Sequence, residues 1–431
     1  MIDWQILDPD QREAALKRPV MADDEKIQGS VEKIIRVVAE SGDDALRVLT
    51  SRFDSVELDE LKVSDLEQKS AIQNLDTSVI SAIDEAYLLI QRFHAAQIQE
   101  DIEIETIEGV NCTLRIRPLQ SVGLYVPGGS TPLVSTALML GVPAQLAGCP
   151  EVVLVSPPNR EGLMAPEIIY AASKCGINAL YKVGGAQAIA ALANGTESIP
   201  AVDKIFGPGN RYVTEAKRQV SQLQGRVGID MPAGPSEVLV IADENADARF
   251  IASDLLSQAE HGPDSQVILV SSDSELIQNV EAEIQKQLVL LPRWKIAKEA
   301  LKHARYILVA TIEQAIELSN RYAPEHLILN VVDADDYVDK IIHAGSIFVG
   351  PWSPESAGDY ASGTNHVLPT YGYARFTDSL SLKDFQKRST IQKITRKGLS
   401  ALSETIVTMA RSEKLDAHAL AVTIRLEEME A

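Results

Sequence analysis

Apolar residues between positions 23 and 96 recur three and four apart, first Val31, Ile34, Ile35 and Val38, then Ile80, Ile83, Ala86 and Leu89, with acids opposite. That spacing predicts amphipathic helices. From Gly109 the period changes. TLRIRPL alternates like an exposed antiparallel pair, whereas VGLYV, VVLVS, ALYKV and KIFG are short apolar runs separated by helical segments, which predicts βαβ units and a parallel sheet. The pattern then restarts. EVLVIAD and QVILVSS read as buried strands around the helix NADARFIASDLLSQAEHG, which Gly262 is expected to end in a left-handed turn. A long helix over 277–291, the strand ARYILVA, a helix over 315–322, and the strands HLILNVV and GSIFVG complete this second half.

The two α/β halves join near residues 234–237. The stretch 350–370 is long and rich in Gly, Pro and Ser, which marks it as a candidate functional loop. Beyond Asp378 the chain reads as helical to its end, an appendage or a partner-docking arm. The expected organisation is therefore a helical arm at 1–22, a first α/β domain at 23–236, a second at 237–377 carrying the loop 350–370, and a helical arm at 378–431. The most apolar stretch, 132–149, is interrupted by Gly141, Pro143 and Gln145, so it reads as a buried helix and turn, too short to span a membrane.

Composition narrows the partners. At ~150 residues per domain, 431 residues allow two or three domains. A net charge of -21 opposes docking on nucleic acid or an anionic membrane. Cys112, Cys149 and Cys175 are widely spaced and odd in number, which speaks against a disulfide framework and for a reducing, cytoplasmic setting. The opening MIDWQILDPDQREAALKRP lacks the basic start and apolar run of an export signal.

Several motifs could carry chemistry. No Gly-Lys pair occurs, so there is no P-loop. Gly207-Pro208-Gly209-Asn210 after KIF lacks the third glycine of a dinucleotide fingerprint, but it joins VPGGS at 126–130 and VGGAQAIAALANG from Val183 as three glycine turns between strand and helix. Each could be a plain tight turn; three in one half favour an anionic cofactor. Among 7 histidines, His261, His326, His366 and His418 each neighbour a second polar group. Gln258 and His261, three apart, share a helix face, although a histidine at a helix C-terminus is also a favourable cation there. Glu325-His326 precedes a strand, where both side chains can reach a cleft or form a surface pair. Asp359 and His366 lie in the long loop. Gln, Asp and two His form a donor set suited to zinc or manganese.

The blocks GLYVPGGSTPL, VGGAQAIAALANGTESIP, KIFGPGNRYVTEAKRQV, DMPAGPSEVLVIAD, DLLSQAEHGPDSQVIL, RYAPEHLIL, AGSIFVGPWSPESAGDYASGTNHVLPT and EKLDAHALAV closely resemble the histidinol dehydrogenase family. They cover most of the chain after residue 20; the first hundred residues match more loosely, and the segment 159–165 departs from the pattern away from any site motif. The resemblance implies two related Rossmann-like, aldehyde-dehydrogenase-like α/β/α domains with small helical N- and C-terminal segments. It further implies oxidation of L-histidinol through L-histidinal to L-histidine, the last two steps of histidine biosynthesis, reducing two NAD with one zinc per subunit.

On the same resemblance, Gln258, His261, Asp359 and His418 hold the zinc and contact substrate, and Ser236, His326, His366 and Glu413 complete the substrate contacts. Tyr125, Gln187 and Asn210 fall at NAD contacts. Glu325 and His326 map to an acid-base pair: His326 accepts the hydroxyl proton, and Glu325 activates the water that hydrates the aldehyde. The family implies a homodimer whose C-terminal arm carries Glu413 and His418 to the other subunit's site. Two rivals remain open at this point: aldehyde oxidation through a cysteine thiohemiacetal, and an acidic metal-storage protein without dehydrogenase activity.

Overall fold

The computed structural model describes residues 1–18, 24–128, 132–222, 227–231 and 234–430. The tip of the VPGGS turn, at 129–130, and the last four residues expected in the N-terminal arm lie outside them. The chain forms two compact units, one from residues 1–97 and 119–385, the other from 98–118 and 386–431.

The larger unit contains two parallel sheets. The first is five-stranded, ordered Ala179–Lys182, Glu151–Ser156, Ser121–Tyr125, Lys204–Phe206, Gly228–Ile229. Numbered by chain position this is 3-2-1-4-5, the order of a Rossmann-type sheet. The second repeats it, with Arg305–Leu308, Gln266–Ser271, Glu237–Ala242, His326–Asn330 and Ser346–Val349 in the same 3-2-1-4-5 order and Ile2–Asp3 added beside Arg305–Leu308. The two related parallel α/β sheets expected from the apolar runs are thus present.

Burial on both faces explains why those runs are continuous and not alternating. In the first sheet Val153 and Val155 join a core with Val31, Val38 and Leu46 of the helix Asp24–Asp54, while Leu154 faces the opposite core with Ile83, Ile90 and Leu138. In the second, Val238 and Val240 pack toward Ile251, Leu255 and Ile277, and Leu239 and Ile241 toward Ile316, Leu318 and Tyr322. The helix Val134–Ala147 is buried from Ser135 through Ala144, as the apolar stretch requires. No helix among the described residues is long and apolar enough to cross a membrane.

The smaller unit departs from expectation. It holds an antiparallel sheet in which Gln386–Ile394 pairs with Val110–Pro118, which in turn pairs with Ile102–Ile107, followed by the helices Arg396–Ser412 and Asp416–Glu430. The chain beyond Asp378 is therefore not helical throughout. QKRSTIQKI is largely exposed, so it lacks the apolar run by which a buried strand announces itself. Gly262 also differs: the helix Ala248–Ala259 ends with Glu260 in a right-handed conformation, and Gly262 is absent from the left-handed glycines among the described residues.

Phe206, at the end of its strand, stacks on Phe385 with ring centroids 4.1 Å apart, and both are fully buried. Phe206→Ala is expected to lower the unfolding free energy by about 3–5 kcal/mol, read from chemical denaturation.

Candidate active site

Among the glycine turns that follow strands of the first sheet, the one at 207–209 lines a cleft. Gly207 has φ 121, and a Cβ there would collide with the Tyr125 carbonyl oxygen. Only glycine lets the two strand ends approach so closely. A buried ion pair fixes this turn: Asp230 Oδ2 accepts from Gly207 N–H at 2.7 Å, Lys217 Nζ donates to Gly207 O at 2.9 Å, and Lys217 pairs with Asp230. Sequence reading missed both residues. The Tyr125 hydroxyl accepts from Gly185 N–H at 3.2 Å, and burial pushes its pKa up to about 12. Gln187 is buried in the first turn of the helix Gly185–Asn194, whose N-terminus has no side-chain cap. Asn210 accepts from the amides of Tyr212 and Val213 at 3.0 and 3.2 Å, so it also caps the helix Arg211–Gln222.

The second sheet contributes the starts of its strands. A cleft of about 100 Å³ is lined by Gly207, Pro208, Ser236, Glu325 and His366, among others. Ser236 immediately precedes Glu237–Ala242, and Glu325 precedes His326–Asn330. These two strands are parallel neighbours, with His326 opposite Val238, which brings Glu325 and His326 against the backbone N–H and C=O of Glu237. Glu237 N–H donates to Glu325 Oε2 at 2.8 Å, and His326 Nδ1 lies 3.0 Å from Glu237 O. A carbonyl only accepts, so Nδ1 carries the proton and Nε2 carries the lone pair. That Nε2 is buried and has no hydrogen-bond partner among the described residues. Burial pushes the His326 imidazole down to about 3, so it is neutral at working pH.

Asp359 stands among the imidazoles. Its Oδ2 is 3.9 Å from His261 Nε2, and its Oδ1 is 3.9 Å from both His326 Nε2 and His366 Nδ1. His366 is held by two contacts, Nδ1 to Asp359 O at 3.0 Å and Nε2 to Thr136 Oγ1 at 3.1 Å. The loop 350–370 is not wholly irregular, because Glu355–Tyr360 is a short helix following Pro354. It sets Glu355 and Asp359 four apart on one face. Glu355 is fully buried and escaped sequence reading, although that spacing was its visible signal. With its nitrogen toward the carboxylate, the Gln258 amide donates to Glu355 Oε2 at 3.1 Å while its oxygen accepts from Glu237 N–H at 3.3 Å.

Ligating atoms of His261, Glu355 and Asp359 lie within 4.8 Å of one another. Burial raises Asp359 to about 6 and Glu355 well above its usual range, with repulsion from Asp359, Glu325 and Asp254 adding to the latter. Crowded carboxylates beside neutral imidazoles favour a divalent cation. Two of the cysteines are kept as thiols: burial pushes Cys149 up to about 11 and Cys175 to about 12, and Cys149 Sγ lies 3.6 Å from Phe385 O. Glu413 and His418 belong to the smaller unit, at the end of Arg396–Ser412 and within Asp416–Glu430, and both are exposed.

Residues 17–426 match a family model described as histidinol dehydrogenase. The chain is 56% identical over 428 residues to a histidinol dehydrogenase of Colwellia psychrerythraea, covering 99% of each. It is 53% identical over 426 residues to that of Salmonella typhimurium, covering 99% of this chain and 97% of the relative. The crystal structure of histidinol dehydrogenase from Elizabethkingia anophelis matches with a TM-score of 0.94 at 48% identity, over 99% of this chain and 98% of that one.

The donor cluster makes a direct prediction. Asp359→Asn and Glu355→Gln are each expected to weaken Zn²⁺ binding roughly 10–100-fold in isothermal titration, and His303→Ala, outside the cluster, is expected to leave it unchanged.

Proposed function

From the premise that the chain belongs to the histidinol dehydrogenase family, and so oxidises histidinol in histidine biosynthesis, we propose that it carries both oxidations to L-histidine in one cleft. The observation that carries this reading is the buried His326 Nε2, whose lone pair has no hydrogen-bond partner while Nδ1–H is tied to the Glu237 carbonyl. A neutral imidazole held in one tautomer is a base aimed at a substrate proton.

NAD, at Tyr125, Gln187 and Asn210, supplies the hydride acceptor for both oxidations. The glycine turn at Gly207 and the uncapped helix start at Gly185 suit the approach of a pyrophosphate. Gln258, His261, Asp359 and, from the other subunit, His418 would hold one zinc per subunit, which would supply an electrophile for positioning the substrate. The clustered donors and the raised pKa of Asp359 support a cation at this place.

In the first oxidation His326 Nε2 takes the hydroxyl proton of histidinol as hydride leaves the carbinol carbon. The aldehyde must then be hydrated, because hydride leaves only from a tetrahedral carbon. Glu325 takes one proton of the attacking water through Oε1, its Oε2 being engaged by Glu237 N–H, while protonated His326 Nε2 returns its proton to the aldehyde oxygen, giving the gem-diol and a neutral imidazole. His326 then takes a proton from the gem-diol as the second hydride departs, giving the carboxylic acid. Ser236, His366 and the partner subunit's Glu413 hold the substrate during these steps. We place the enzyme in the cytoplasm as a homodimer with shared sites; the three free thiols support a reducing compartment. Exposed Leu415, Leu420 and Ile424 near His418 suit a subunit contact.

Full turnover should yield two NADH per histidinol consumed; a ratio of one would overturn the four-electron reading. Burial, with repulsion from Glu237 and Asp359, raises Glu325 well above the usual carboxylate range. Its ionised form is the base, so oxidation of histidinal should rise with pH until Glu325 ionises and fall below that point. Glu325→Gln is expected to abolish this limb and slow the aldehyde step about 10²–10⁴-fold while sparing alcohol oxidation; His326→Ala should slow both. Mixing Glu325→Ala and His418→Ala chains should restore part of the histidinal oxidation that each lacks; proven heterodimers without recovery would rule out shared sites.

A further inference from the structure

Arg18 lies two residues beyond the helix Pro9–Leu16, and its side chain is only 15% exposed. Its guanidinium grips Glu237 with two bonds, Nε to Oε1 at 2.5 Å and Nη2 to Oε2 at 2.9 Å. The same Nη2 donates to the carbonyls of Tyr322 and Ala323 at 3.0 and 3.3 Å. The group lies over the Tyr322 ring at 3.9 Å, with the Tyr371 ring 5.8 Å away. Forked donors and a flat face are needed together here, and lysine has neither.

Each partner of Arg18 is joined to the acid-base pair. The Glu237 backbone bonds Glu325 through its N–H and His326 through its C=O. Tyr322 and Ala323 end the helix that delivers Pro324, Glu325 and His326, and Ala323 sits at φ 54 with its N–H on Ser319 O. One cation thus holds both the strand end that grips the pair and the turn that delivers it. Stability alone is a weak reason for such a group, since a buried ion pair is often no better than apolar residues of equal volume. What it adds is a fixed geometry.

We propose that Arg18 is a positioning residue for the oxidation, setting the orientation of Glu325 and His326 through the carboxylate and peptide of Glu237 and through the Tyr322–Ala323 turn. The inference rests on the reading that Glu325 and His326 perform the proton transfers. A misplacement of about 1 Å in such a pair can cost ~10²-fold in rate, and it slows both oxidations, because both residues are held by the same contacts.

The test compares Arg18→Met, Arg18→Lys and Arg18→Ala in the zinc-loaded full-length enzyme, assayed separately with histidinol and histidinal, alongside Glu325→Gln. We expect Arg18→Met to lower kcat about tenfold to 10²-fold for both substrates, with KM for histidinol little changed and zinc content preserved. Added guanidinium should restore much of the loss in Arg18→Ala and none in Glu325→Gln, and Arg18→Lys should fall between Met and wild type. Unchanged kcat per folded molecule in Arg18→Met, a loss confined to KM, or no guanidinium rescue of folded Arg18→Ala would overturn the proposal. If Arg18→Met does not fold, the guanidinium response of Arg18→Lys decides in the same sense. Undiminished histidinal oxidation by Glu325→Gln would instead remove the role given to the pair, an outcome distinct from failure of Arg18 itself.

Discussion

The backbone of Glu237 is the constraint on which the cleft depends. Its N–H serves Glu325 Oε2 and the Gln258 oxygen, and its C=O serves His326 Nδ1. Gln258, Glu325 and His326 are therefore all held by the backbone of one residue at the start of one strand. Such an arrangement requires that strand to be immobile. Burial on both faces supplies this, since Val238, Val240 and Ala242 lie in one core and Leu239 and Ile241 in the other. The parallel register beside His326–Asn330 does the rest.

A second constraint is electrostatic. Asp254, Glu325, Glu355 and Asp359 all have raised pKa values, burial being the first cause in each, while His326 and His366 are pushed down. Low dielectric thus keeps the bases neutral and makes the carboxylates strong acceptors of protons or of a cation. The two sides of the cleft are built by the same means. Lys217 and Asp230 clamp the peptide groups of Gly207 as Arg18 clamps the surroundings of Glu237. The cleft is thereby held between the strand ends of one sheet and the strand starts of the other.

Much of this was legible in the chain because its signals are local. A strand buried on both faces must be a short apolar run, so VVLVS and EVLVIAD declared themselves. Histidines beside acids stood out because histidine is rare. What stayed hidden depends on pairing across long separations. QKRSTIQKI reads as polar, and its strand partner lies far earlier in sequence. Arg18 reads as an ordinary basic residue after a helix; only folding reveals the carboxylate 219 positions away. Glu237 reads as the polar edge of a strand, and its importance lies in its backbone, which no residue type advertises. Gly262 misled for the opposite reason, because glycine permits a left-handed turn without requiring one.

The separation of Arg18 from its partners also bears on how the enzyme comes into being. During synthesis this cation emerges long before Glu237, and Tyr322 and Ala323 follow 304 and 305 positions after it. Contacts so distant in sequence are among the last that a folding chain can close. The helices and sheets can therefore form before the contacts of Arg18 close, which makes the tie between the segment after Pro9–Leu16 and the strand start at Glu237 a late event in folding.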